Sequence, residues 1–203
     1  MECAITRDDA ARMTAAAQTA EDGAHSAGMR HGEVDHGWPR RCKTRDGAEY
    51  YIRPIHADDT DRDRAFIKSL SESSRYNRMM GLSREPSAEL LDHLVHVDYR
   101  RDMALIAVVG AGATETIIGV ARYGGDPDRS EFAIAVADDW QARGVGSTLA
   151  TLLFAYAKSH GVRRIFGIIF ANNERMLKLA GYLRMTLRRS SNDDSVLEAW
   201  RTL

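Results

Sequence analysis

The stretch that decides the fold is Gln141-Ala142-Arg143-Gly144-Val145-Gly146, which stands between a strand-like run at residues 131–137 and an amphipathic helix beginning near Ser147. Two glycines one residue apart let the backbone of a strand-to-helix turn approach a ligand closely. The first turn of the helix adds unpaired N–H donors and the positive end of the helix dipole. Residues 141–147, called the cradle below, therefore predict an anion site, with a diphosphate as the leading ligand.

The segments after the cradle add to this prediction. Apolar residues share one face of the next helix, and Gly161 supplies a stop signal. A strand is expected over residues 164–170, followed by a helix headed by Asn172 and Asn173. Neither common nucleotide fingerprint fits, because position 149 is leucine where Gly-x-Gly-x-x-Gly needs glycine and no Gly-Lys-Ser/Thr is present.

With these residues in view, the chain resembles the GNAT family of acyl-CoA-dependent N-acetyltransferases, whose signature Arg/Gln-x-x-Gly-x-Gly/Ala is matched by Gln141, Gly144 and Gly146. The segments over residues 51–55, 73–76, 98–105, 119–123 and 131–133 resemble the GNAT domains of bacterial protein-lysine acetyltransferases. The resemblance covers about three quarters of the chain. It implies acetyl-CoA as the acyl donor and direct acetyl transfer to an amine.

Length and composition fit a globular enzyme. The chain has 203 residues, of which 44% are hydrophobic and 28% charged, with a formal net charge of -1. This suits an N-acetyltransferase domain at residues 46–203 after a flexible extension at residues 1–45. The charge balance gives no long-range attraction to nucleic acid or to anionic lipid. Apolar runs are too short to cross a bilayer and no signal peptide is evident, so a cytoplasmic location is expected.

The extension offers no convincing metal or disulfide site. His25, His31 and His36 are irregularly spaced. Cys3 and Cys42 have no metal-ligand spacing. Solvated histidines, reduced thiols and no bound metal are therefore expected, with an alanine-rich helix possible over residues 6–21.

Periodicity upstream and downstream of the cradle defines the fold class. Strands are predicted at residues 50–55, 103–109, 116–123, 131–136 and 165–170, and a C-terminal hairpin at 184–189 and 196–200 around Asn192. Helices are predicted at residues 58–70, 73–80 and 87–96, besides the two near the cradle. The pattern indicates an α/β (α+β) GNAT fold, with a mixed, mostly antiparallel central sheet and helices on both faces.

Glu131 is the candidate general base. With period 2, Glu131 shares one strand face with three alanines, which leaves room for a ligand, while Phe132, Ile134 and Val136 share the other face. Alternatively, Glu131 is only a charged residue at the start of an exposed strand. In the enzymes that the chain resembles, a glutamate at this place acts as the base, directly or through water.

The resemblance also assigns the remaining cofactor residues. Backbone groups of Ile134, Ala135 and Val136 are implied to polarise the thioester and to hold the pantetheine arm. Asn173 is implied to hold that arm as well, although a helix N-cap is an equally good interpretation. In the cradle, Ala142, Val145 and Ser147 join the signature residues through their backbone, and Arg143 adds a cation or is simply a surface side chain.

Two departures from the family pattern leave other functions open. Many GNAT enzymes have a tyrosine acid where this chain has Ala180, and Tyr182 lies about 200° further round the helix. The family usually continues Leu-Gly-Phe, whereas this chain has Leu183-Arg184-Met185. The expected function is acetylation of a primary amine, with a protein lysine as acceptor. The alternatives are a small-molecule amine acetyltransferase and a catalytically silent acyl-CoA-binding module.

Overall fold

Strand pairing organises the protein around one sheet. The computed structural model describes residues 37–79, 87–99, 101–190 and 193–203, and within them eight strands pair in the order β1-β2-β3-β4-β5-β6-β8-β7. Only β5 and β6 run parallel among these described strands, and the other neighbours are antiparallel. The strands are β1 (Arg40–Lys43), β2 (Glu49–Pro54), β3 (Met103–Val109), β4 (Thr116–Asp126), β5 (Arg129–Val136), β6 (Arg164–Phe170), β7 (Thr186–Arg189) and β8 (Val196–Thr202).

Helices cover both faces of the sheet. On the first face, Leu149 and Leu179 belong to a buried cluster that also contains Phe132. On the second face, Phe66 and Leu94 pack with Val120 and other strand residues. The helices are α1 (Thr60–Ser69), α2 (Glu72–Met79), α3 (Ala88–Val95), α4 (Val145–Ser159) and α5 (Glu174–Tyr182). This arrangement confirms the predicted α+β fold with a mixed, mostly antiparallel sheet.

The parallel pair β5–β6 splits soon after it forms. Its register contains only Ser130 opposite Ile165 and Glu131 opposite Phe166, whereas β5 stays paired with β4 up to Val136. From residue 132 onward, the edge of β5 that faces β6 therefore lacks a strand partner in the described sheet. Glu131 stands at the point where this gap, called the β5–β6 gap below, opens.

Most predicted segments coincide with an observed strand or helix. The C-terminal hairpin forms as expected, but β7 begins at Thr186, two residues after the predicted start, because Arg184 adopts a left-handed φ of 54°. Upstream, β1 lies within residues 1–45, the segment predicted as an extension, and pairs with β2 of the predicted domain. The domain division itself stays a prediction. The predicted helix at residues 6–21, the three histidines, Cys3 and Asn192 lie outside the described residues.

The C-terminus of α5 explains the conformation of Arg184. The Met185 N–H donates to the Ala180 carbonyl at 2.9 Å and the Arg184 N–H donates to the Gly181 carbonyl at 3.0 Å. This pair of bonds is a Schellman motif, in which the residue after the C-cap takes a left-handed φ and is usually glycine. The chain thus has arginine at the position of this motif that favours glycine.

Candidate active site

The cradle connects β5 to α4 through a backbone that leaves donors available. Ala142 has a φ of 59° and Gly144 a φ of 100°. The first backbone bond at the start of α4 runs from the Thr148 N–H to the Gly144 carbonyl. Among the turn, loop and cap hydrogen bonds of the described chain, none has an N–H of residues 142–147 as its donor. N–H donors at a helix N-terminus suit a diphosphate, so the cradle fits the diphosphate group of coenzyme A.

Gln141 differs from the rest of the cradle, because its groups are used within the protein. Its N–H donates to the Asp138 carbonyl at 3.2 Å. The buried side chain donates to the Val136 carbonyl at 2.9 Å and to Ser74 Oγ at 3.3 Å, and it accepts a hydrogen bond from Arg175. Gln141 therefore ties the cradle to α2, β5 and α5.

Arg143 is held at the rim of the cradle. Its guanidinium donates to both carboxylate oxygens of Asp46, at 2.6 and 3.1 Å, and lies over the Trp140 ring at 4.5 Å. The hydrogen bonds from Arg143 lower the pKa of Asp46 to about 2. The Arg45 N–H also donates to the Arg143 carbonyl. Arg143 thus joins the β1–β2 turn to the cradle, and a role in binding diphosphate stays a prediction.

The β5–β6 gap presents alternate backbone groups of β5. The Ala137 N–H donates to the Ile118 carbonyl on the β4 side, and backbone groups point alternately to the two sides of an antiparallel strand. The N–H and C=O groups of Ile134 and Val136 therefore face the gap, where the Val136 carbonyl already accepts a hydrogen bond from the Gln141 side chain. The corresponding groups of Ala135 face β4. Of the three predicted β5 contacts, the geometry favours Ile134 and Val136 for direct hydrogen bonds to a bound pantetheine arm.

Glu131 lies on the second face of the sheet beside this gap. It is partly buried, with its Oε1 atom shielded from solvent. Its cross-strand partner on β4 is Gly124. The Asp102 carboxylate lies where a Cβ of Gly124 would stand. Asp102 also accepts a hydrogen bond from the Gly125 N–H at 3.2 Å. Two carboxylates therefore stand one cross-strand position apart on this face.

Asp138 connects the end of β5 to α2. Its carboxylate accepts hydrogen bonds from the Ser71 N–H at 2.9 Å, Ser71 Oγ at 2.8 Å and Ser74 Oγ at 2.7 Å. Partial burial pushes the pKa of Asp138 upward, but the hydrogen bonds from Ser71 and Ser74 outweigh it and hold the pKa below its ordinary value. The carboxylate therefore fixes the start of α2.

The second face also contains a buried charge cluster. Asp63 is 1% exposed and Arg78 6% exposed, and both line a small cavity with Arg122. Burial raises the pKa of Asp63, although Arg122 and Arg78 oppose the rise. Burial and the nearby Arg78 lower the pKa of Arg122 to about 10. Arg122 donates to the Leu94 carbonyl at 3.1 Å, which links β4 to α3.

The start of α5 supports the structural interpretation of Asn173. Asn173 Oδ1 accepts the Met176 N–H at 3.0 Å, as an N-cap does, while a contact with the cofactor stays a prediction. Further along the helix, position 180 is a buried alanine, whose side chain has no proton to donate. Tyr182 is 64% exposed.

The structure adds Asp102, Asp138, Ser74 and Arg175 to the residues that shape the site. Sequence spacing could not identify them, because each acts through a contact between segments far apart in the chain. The only local signal was Ser71, an N-cap residue type before α2. Together, an anion cradle, a gap beside β5 amides that have no partner strand on that side, and a partly buried carboxylate suit acyl transfer from a thioester to an amine.

Comparisons with known proteins agree with this geometry. The sequence profile of the Acetyltransferase (GNAT) family matches residues 67–182. An acetyltransferase of Pseudomonas aeruginosa is 32% identical over 152 residues, covering 74% of this chain and 82% of that protein. Among the described residues, no helix is long and apolar enough to cross a bilayer.

Two further relatives carry the name Pat. Acetyltransferase Pat of Mycolicibacterium smegmatis is 31% identical over 144 residues, which cover 70% of this chain and 42% of that protein. This chain therefore spans less than half of that relative. The crystal structure of the GNAT domain of PAT from S. lividans superposes with a TM-score of 0.75 at 29% identity, covering 82% of this chain and 97% of that domain.

Proposed function

Because this chain belongs to the GNAT family of acetyltransferases, we propose that it transfers the acetyl group of acetyl-CoA directly to the side-chain amine of a protein lysine, in the cytoplasm. The observation that carries the proposal is the cradle, whose N–H groups at residues 142–147 are available beside the β5–β6 gap. The lysine acceptor is supported by the sequence resemblance to protein-lysine acetyltransferases upstream of the cradle.

The coenzyme would be held by main-chain groups. The cradle N–H groups would bind the diphosphate, and the amides of Ile134 and Val136 would bind the pantetheine arm and polarise the thioester carbonyl. Only backbone atoms are required, so the alanine and valine side chains at these positions are compatible with binding. Asn173 would support the arm from the start of α5.

The acceptor must lose a proton before it can react. An unperturbed lysine has a pKa near 10.4, so neutral amine at pH 7 costs about 4 to 5 kcal/mol. Glu131 would take this proton, directly or through water. The nitrogen lone pair then forms the C–N bond at the thioester carbonyl and the C–S bond breaks. A second amine proton passes to solvent, and the sulfur leaves as a thiolate that needs little acid help, since a thiol pKa is near 8.5.

Acetyl-CoA consumption with defined acceptors tests the proposal. Purified protein is incubated with acetyl-CoA and either lysine peptides, a polyamine or an amino acid, while thiol release and product mass are followed. Acetylated lysine in the peptide is the expected product. Transfer only to small amines would replace the lysine acceptor, and coenzyme binding without transfer to any amine would favour a silent acyl-CoA-binding module.

A further inference from the structure

A groove of about 220 Å³ lies on the second face of the sheet, beyond Glu131. It crosses β5, β6, β8 and β7, and none of its residues was assigned a role from the sequence. Its lining is rich in arginine and aromatic side chains: Arg129, Arg164, Phe166, Arg188, Glu198 and Trp200.

Strand register makes the groove continuous with the catalytic position. Glu131 is opposite Phe166, Phe166 is opposite Trp200, and Arg188 is opposite Glu198. Partners in register project to the same face of a sheet. The groove therefore begins at Arg129, two residues before Glu131 on β5, and extends across β6 and β8 to β7.

The groove has surplus positive charge. Arg129 is paired with Glu198 at 3.0 Å, whereas Arg164 and Arg188 form no ion pair with a carboxylate in the described ranges. The formal charge of the whole chain is -1, so this concentration of arginines is a local feature.

Aromatic rings support two of the arginines. The Arg129 guanidinium lies over the Phe166 ring at 4.3 Å and the Arg164 guanidinium over the Trp200 ring at 5.3 Å. Stacking restricts the guanidinium groups before any ligand arrives, so less conformational entropy is lost when a carboxylate binds.

We propose that this groove binds acidic side chains flanking the acceptor lysine of the protein substrate. The inference rests on the proposed function and adds a substrate class to it. Strands are about 4.8 Å apart, so the groove extends about 5 to 14 Å from Glu131. An extended peptide rises about 3.4 Å per residue. Aspartate or glutamate two to four positions from the lysine would therefore meet Arg164 and Arg188.

Matched peptides and variants test this substrate class. One peptide has lysine flanked by serine and alanine, and companions have aspartates two to four positions before, after or on both sides of the lysine. We expect kcat/KM to be about five- to tenfold higher for at least one acidic peptide at low salt, with the preference shrinking as salt rises. Arg164→Ala and Arg188→Ala should each lower the acidic-to-neutral ratio about threefold.

The control is Arg189→Ala, which removes the same charge from the same strand on the opposite face, since Arg189 is opposite Leu197. It should leave the ratio unchanged. Acetylation at equal rates whatever the flanks, or a ratio that survives Arg188→Ala, overturns this inference while the proposed function stands. No transfer to any lysine peptide overturns both. If Arg188→Glu instead converts a dimer into a monomer during gel filtration, without changing the ratio, the groove binds a second copy of the chain and the inference is wrong.

Discussion

At the scale of single residues, the space around the Glu131 carboxylate is set by residues on the two adjacent strands and by the β5–β6 gap. Gly124 opposite it has no side chain, Phe166 begins the groove, and the gap opens at the next residue of β5. An acceptor amine at this point would be partly removed from water, which itself favours the neutral amine. A carboxylate beside a desolvated amine is the arrangement that the reaction requires.

Replacement of this carboxylate is the first prediction. Glu131→Gln should lower kcat about 100-fold at pH 7, because a positioned base typically contributes at least that factor, while calorimetric affinity for coenzyme A stays unchanged. The deficit should narrow as the pH rises toward the lysine pKa of about 10.4, since solvent then supplies neutral amine. Glu174→Gln, an exposed change at the start of α5, serves as the control. Full turnover of Glu131→Gln at pH 7 would remove the base assignment.

Asp63 leads to a prediction about stability and pH. Its pKa is raised in the folded protein by burial, against the opposing effect of Arg122 and Arg78. The folded state therefore binds more protons than the unfolded state above the unfolded pKa of about 3.9, and this residue makes stability fall as the pH rises through the folded pKa. Asp63→Asn removes that dependence.

The difference in unfolding free energy, Asp63→Asn minus the parent, should thus increase between pH 4 and pH 8. Urea unfolding of both proteins across that range measures it. The sign of the slope is the test, whatever the absolute loss of stability from removing a carboxylate near Arg78 and Arg122. A difference that is constant, or that decreases with pH, would show that the pKa of Asp63 is not raised in the folded protein.

At the scale of secondary-structure elements, the Schellman motif at the end of α5 has arginine at the position where glycine is favoured. Arg184 holds a left-handed φ of 54°, which costs a residue with a Cβ roughly 1 kcal/mol compared with glycine. Arg184→Gly should therefore raise the free energy of unfolding by about 1 kcal/mol. Lys178→Gly, within the same helix, should lower it by about the same amount. Equal effects of the two changes in denaturant unfolding would contradict the Schellman geometry.

The start of α2 depends on a carboxylate from another element. Asp138→Ala removes the acceptor of the Ser71 N–H and of two serine hydroxyls, so stability should fall by about 1 kcal/mol, as when an N-cap is lost. Hydrogen exchange should accelerate in residues 71–79. Asp139→Ala, next in sequence and exposed, should change neither quantity. Unchanged exchange in Asp138→Ala would show that α2 is held by other contacts.

At the scale of the whole molecule, local patterns predicted the elements and long-range contacts completed the site. Alternation in β5 correctly separated Phe132, Ile134 and Val136 from the alanine face. The signature residue Gln141 is predicted to bind the coenzyme, which stays a prediction, and its side chain joins three elements. No spacing rule reveals that partner set, because Ser74 and Arg175 approach only after the sheet has formed. For the same reason, the sequence could not predict the position of Asp102 or the groove, because both depend on which strands are neighbours in the sheet.

Coenzyme binding should couple the two parts of the sheet on either side of the β5–β6 gap. A ligand that binds only the folded state at 100 times its Kd stabilises it by about 2.7 kcal/mol. Acetyl-CoA should therefore raise the melting temperature and slow hydrogen exchange at residues 132–136 and 142–147, while β1 and β7 stay unchanged. In Gly144→Ala the added Cβ meets only an ordinary contact with Arg45, 3.7 Å away, but φ stays at 100°. The resulting strain should weaken both effects. An unchanged melting temperature with millimolar acetyl-CoA would show that the cradle does not bind the coenzyme, because a ligand that binds only the folded state must stabilise it.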